Sequence, residues 1–143
     1  MKVSEGTVGR VFVVRLEDGD ELPRVIESLA AEKGIQAASV ILVGGIGSGK
    51  VIVGPETPEV PPKPMVRELE GVHEIAGVGT LFCNEGGEPK LHLHGAMGRD
   101  GRTIMGCTRE GVKVWLVAEA IITEITGTEA SRVAEGGLEL LRP

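Results

Sequence analysis

Lys90-Leu91-His92-Leu93-His94-Gly95-Ala96-Met97-Gly98-Arg99-Asp100-Gly101-Arg102-Thr103-Ile104-Met105-Gly106-Cys107 reads as a β-hairpin. Apolar and polar side chains alternate from Lys90 to His94, the period of a strand with one buried face. Asp100-Gly101 suits the two central positions of a type I′ turn, both of which need positive φ. A two-residue loop pairs the flanking residues symmetrically, so His94 meets Cys107 and Arg109 meets His92. Cβ atoms of directly opposed residues lie roughly 4.5–5.5 Å apart, and His92 shares a face with His94. Two imidazoles and a thiol therefore converge on one patch of sheet, in a chain with only three histidines and two cysteines.

Outward from this hairpin, strands dominate. Val8 to Leu16, Ala37 to Val43, Lys50 to Val53, Val66 to Leu69, His73 to Phe82 and Val112 to Ile125 carry strand patterns. The last is long and largely apolar, which predicts a central strand covered on both faces. One helix is expected, because Leu22, Val25, Ile26, Leu29 and Ala30 form a single stripe. Asp18 or Asp20 is its candidate cap, and Lys33-Gly34 its stop. Gly54 to Met65 is proline-rich and reads as an extended exposed loop. The tail after Gly127 has room for one more short element. The expected fold class is α+β: one domain over 1–143, an antiparallel sheet of about seven strands with one amphipathic helix packed on it.

Charge and composition narrow the function. The net charge is −6 over 143 residues, which disfavours DNA as a partner, since phosphate binding needs a basic footprint. The local balance between Lys90 and Lys113 runs the other way: Lys90, Arg99, Arg102, Arg109 and Lys113 face only Asp100 and Glu110. These residues read first as the solvated polar faces of two hairpins, and alternatively as a positive rim around a site for a small anionic ligand. No apolar run approaches the roughly 18 residues of a membrane span, and no signal-peptide core is evident, so a cytoplasmic location with free thiols is expected.

Gly44-Gly45-Ile46-Gly47-Ser48-Gly49-Lys50 imitates a phosphate-binding loop, but Val51 stands where Ser or Thr must hold magnesium. A strand pattern follows instead of a helix, so this is read as a glycine-rich turn or bulge. A lone H-x-H strand is a weak metal signal, and His92 and His94 could be plain outward polar residues. Cys107 strengthens the metal reading, and imidazole with thiolate suits Zn2+ or another divalent transition metal. His73 lies far along its strand from His92 and reads as structural or surface. With Arg102 and Arg109 it is a candidate ligand-binding residue; no catalytic residue is assigned.

Four stretches together resemble the PPC domain, found in plant AT-hook nuclear proteins and in small stand-alone prokaryotic proteins. They are Ala37 to Ser48, His73 to Thr80, Leu91 to Gly98 and Asp100 to Cys107, preceded by the helix with Leu22, Val25, Ile26 and Gly34. The resemblance implies an antiparallel sheet with a packed helix and assembly into a homotrimer. It also implies a metal site of three histidines, with His92 and His94 matching two and Cys107 standing in the place of the third. The family is often labelled DNA-binding, and a DNA-associated scaffold is the alternative reading. In plant members that activity belongs to a basic AT-hook, which this chain lacks.

Overall fold

The computed structural model describes residues 1–109 and 111–143, so Glu110, counted above in the local charge, lies outside the described residues. Strands β1 (Thr7–Glu17) and β2 (Glu21–Leu22) precede helix α1 (Arg24–Lys33). Then follow β3 (Ala37–Ser48), β4 (Lys50–Pro55), β5 (Pro64–Glu68), β6 (His73–Cys83), β7 (Pro89–Arg99), β8 (Arg102–Thr108) and β9 (Val112–Thr126). The antiparallel sheet runs β1-β9-β3-β6-β7-β8-β4-β5, with β2 also on β9. It has nine strands: those expected, together with the two-residue β2, which pairs with β9. The tail forms its own hairpin, β10 (Ser131–Glu135) with β11 (Leu138–Arg142).

Helix α1 is the only helix among the described residues, and its stripe faces inward: Ile26 and Ala30 are fully buried, as is Leu22, which lies just ahead of the helix in β2. Its start differs from expectation. Pro23 occupies the cap position without a side-chain hydrogen bond, its fixed φ suiting the first turn. The two candidate caps work elsewhere: Asp18 accepts from Leu116 N–H and Asp20 from Glu17 N–H. Gly34, with φ of 66°, ends the helix in the left-handed conformation. Glu27 on α1 accepts a 2.8 Å hydrogen bond from Leu91 N–H, tying the helix to β7 beside His92.

The glycine-rich run belongs to β3 and makes no phosphate loop. Gly44, at φ of 137°, lies where β3 crosses β9, and a Cβ there would sit 2.5 Å from Ala118 Cα. The β3–β9 register shifts at this point, between Gly44 and Ile46. The glycines let two backbones approach closely, and β4 follows directly.

The inner face of the sheet holds a core of Val40, Leu42, Leu81, Leu93, Met97 and Ile122, closed by α1. Strand β9 is central, between β1 and β3, yet only one of its faces is covered: Trp115, Val117 and Ile121 are exposed. The register explains how far this extends. Val13, Ile121, Ile41 and Val78 are directly paired neighbours in one row across four strands, and Val78 pairs with His94. All four valines and isoleucines of the row point away from the core, with Val13 82% exposed.

One edge of the sheet is pinned by charge. Glu124 on β9 accepts from Arg10 at 2.6 and 2.8 Å, while Arg10 also donates to Lys33 O at the helix end. The Arg10 side-chain and backbone donors hold the Glu124 carboxyl down at about 2, from its ordinary 4.5. A depressed carboxylate contributes stability that is complete above its unfolded-state value and vanishes as pH falls through its folded one. Between about 4.5 and about 2, therefore, wild type should lose stability that Glu124→Gln never had. Urea midpoints of both proteins across that window test this, and parallel curves would refute it.

Candidate metal centre

The hairpin forms as its turn chemistry dictates. Asp100 and Gly101 both have positive φ (49° and 71°), Arg99 pairs with Arg102, and His94 pairs with Cys107. Leu91 and Leu93 point into the core and are buried, which sends His92 and His94 to the outer face. Cys107 lies on that same face but is only 5% exposed. Strand β4 crosses beside it, pairing Ile52 with Cys107. Gly106 makes this approach possible, because a Cβ there would meet Ile52 O at 2.7 Å.

The three donor atoms lie within 4.8 Å of one another. The Nε2 atoms of His92 and His94 are 2.9 Å apart, with the rings edge to face. Metal–ligand bonds of 2.0–2.3 Å would place tetrahedral donors roughly 3.3–3.7 Å apart. Small side-chain rotations bridge that difference, and two imidazoles with a thiolate are a zinc-type donor set. Burial, then His94, Arg132 and Arg109, pushes the His92 pKa down, which favours the neutral ring a metal needs. Burial pushes the Cys107 thiol up, and Arg109 and Arg132 partly oppose it.

The cluster opens into a groove of about 790 Å³, walled by Val53, Pro55, Pro64, Met105 and Leu138. The proline-rich segment thus forms part of a site, not as an extended loop but as the turn of a hairpin: β4 and β5 pair antiparallel, Pro55 opposite Pro64, and residues 56–63 bend between them. Arg109 also lines this groove, but not by facing His92. The β7–β8 ladder stops at His94–Cys107 and β8 ends at Thr108, so Arg109 enters from the connection to β9.

The other two candidate residues lie elsewhere. His73 is buried at the opposite end of the β6–β7 pair, its Nδ1 2.9 Å from Gly71 O. Arg102 shares a separate hollow with His73, Arg99 and Glu68. One residue near the cluster was not anticipated. Arg132 on β10 is 5% exposed, and its guanidinium donates to Thr80 O, Thr80 Oγ1 and Lys90 O. Thr80 is paired directly with His92 across β6 and β7. No local pattern in the tail could have revealed this neighbour, because the contact spans 52 residues of sequence.

Comparison with known proteins gives the fold a family. A crystallised plant- and prokaryote-conserved protein from Pyrococcus horikoshii superposes with a TM-score of 0.85 at 25% identity, over 100% of this chain and 98% of its own. A metal-containing protein from Archaeoglobus fulgidus gives the same TM-score at 28% identity, over the whole of both chains. A protein from Ralstonia eutropha described as a candidate DNA-binding protein shares the fold at 17% identity, with a TM-score of 0.76 over 92% of this chain and 90% of its own. No curated protein matches significantly. The sequence model of the Plants and Prokaryotes Conserved (PCC) domain matches residues 3–126, and the chain belongs to that family.

Proposed function

We propose that this chain is a homotrimeric, metal-holding binding protein, with one zinc-type ion per subunit at His92, His94 and Cys107 serving to bind a small anionic ligand. The convergence of three donor atoms within 4.8 Å carries the reading. Support comes also from the Archaeoglobus fulgidus relative, which is metal-containing. An open fourth position on such an ion is where a ligand or water binds, and Arg109 stands beside it in the groove. The apolar outer row from Val13 to Val78 supports self-assembly, because exposed apolar patches of this kind mark interaction surfaces. No described helix is long and apolar enough to cross a membrane, and two unpaired thiols fit a reducing, cytoplasmic setting.

Elemental analysis of purified protein tests the metal. Wild type should carry one ion per chain; His92→Ala and Cys107→Ser should each lose most of it, since three ligands leave none in reserve. Equal metal content in all three proteins would refute the site. DNA association is the weaker reading. Arg99 and Arg102 flank the turn at one end of β8 and Arg109 follows its other end, about 20 Å away at strand rise, so they make no single basic footprint.

A further inference from the structure

Among the described residues, Arg132 forms no ion pair. It is only 5% exposed, and burial lowers its pKa. All three of its hydrogen bonds are to neutral oxygens, at 3.2–3.5 Å. Among the described residues no carboxylate lies within ion-pair distance of either Arg132 or Arg109. Glu139 is the acid whose field reaches Arg132, and it is exposed. Burying an unpaired guanidinium is costly unless an anion compensates it. With a divalent ion held by two neutral imidazoles and one thiolate, the ion and Arg109 would place roughly two positive charges at the head of the groove, and Arg132, outside its lining, adds a third from beside Thr80.

The walls restrict what that anion is. Val53, Pro55, Pro64, Met105 and Leu138 offer apolar surface and few hydrogen-bond partners. Inorganic phosphate would leave them uncovered, and an uncharged apolar molecule would leave the arginines unanswered. An amphiphile with a compact anionic head satisfies both. Resting on the metal reading for its full strength, we propose that the groove takes a small aliphatic carboxylate. Its head lies at the His92–His94–Cys107 cluster, held by Arg109 and by the charge of Arg132 behind His92, and its chain runs along Met105 and Val53. Arg132 and Leu138 come from the β10–β11 hairpin, beyond the residues 3–126 that define the family. The hairpin thus adds specificity to a site the family domain begins.

Calorimetric titration of the purified, zinc-loaded full chain with hexanoate, hexan-1-ol and inorganic phosphate tests this. Hexanoate should bind saturably, with hexanol and phosphate each at least about ten-fold weaker, the value of one charge-assisted contact or of the buried chain. Arg109→Gln should weaken hexanoate about ten-fold with metal content unchanged. Arg132→Gln, which removes a charge from outside the groove lining, should weaken hexanoate less than Arg109→Gln does and leave hexanol binding unchanged, whereas a purely structural loss would weaken both. Equal binding of hexanoate and hexanol, equal binding of hexanoate and phosphate, or unaltered hexanoate affinity in Arg109→Gln would overturn the proposal. The metal reading fails separately. Protein without bound zinc that still prefers hexanoate in an Arg109-dependent way removes the ion from ligand binding and keeps the carboxylate, whereas equal metal content in wild type, His92→Ala and Cys107→Ser refutes the ion itself.

Discussion

The double variant Ile41→Glu, Val78→Glu should behave as a monomer of 15.0 kDa by light scattering, where wild type should weigh three times as much. Ile41 and Val78 are a directly paired couple in the middle of the outer row, 55% and 68% exposed in the single chain. Association would seal them from water, and an unpaired carboxylate buried there costs several kcal/mol, enough to dissolve an interface of ordinary size. Folding should survive, because neither side chain joins the core. Val3→Glu, exposed but outside the row, should leave the trimer intact. A double variant that remains trimeric would remove this face from the assembly.

Gly44→Ala should be the most damaging single substitution in β3. The added Cβ meets Ala118 Cα at 2.5 Å and Val117 O at 2.6 Å, both backbone atoms of the paired strand, so no side-chain rotation relieves it. The φ of 137° adds strain for any residue with a Cβ. Strain and overpacking together suggest a loss of about 3–5 kcal/mol from a total stability on the order of 5–15. Gly19→Ala isolates the first contribution, since Gly19 has φ of 85° and nothing within 4 Å; about 1 kcal/mol is expected there. Denaturant midpoints compare the two, and similar losses would show that the close approach of β3 to β9 is unimportant.

The hairpin and the helix were legible because their signals are local. Asp100-Gly101 fixes both the turn type and the pairing of His94 with Cys107, and the stripe from Leu22 to Ala30 needs only its own spacing. What could not be read was which distant strands meet. That β4 lies against Cys107, that β3 continues through its glycines to Ser48, and that β10 delivers Arg132 to Thr80 are all non-local facts. The near-continuous apolar run of β9 predicted cover on both faces, yet its outward residues are open in the single chain. That run carries two messages at once, one for the core and one for a surface that the chain itself does not bury. His73 shows the opposite case, a polar residue whose pattern was ambiguous and which the backbone carbonyl of Gly71 satisfies.

The two-residue turn at Asp100-Gly101 also makes the site vulnerable from a distance. Successive side chains of a strand point to opposite faces, so a residue inserted after Gly101 that joined β8, with the two-residue turn kept, would slip the pairing by one and turn every β8 side chain to the other face. Cys107 would then swing toward the core and Gly106 would take its place beside His94, with every ligand residue still present in the sequence. An insertion that slips the register at the far end of the strand would erase the centre as surely as replacing a ligand, and would leave no trace among the three residues that build it.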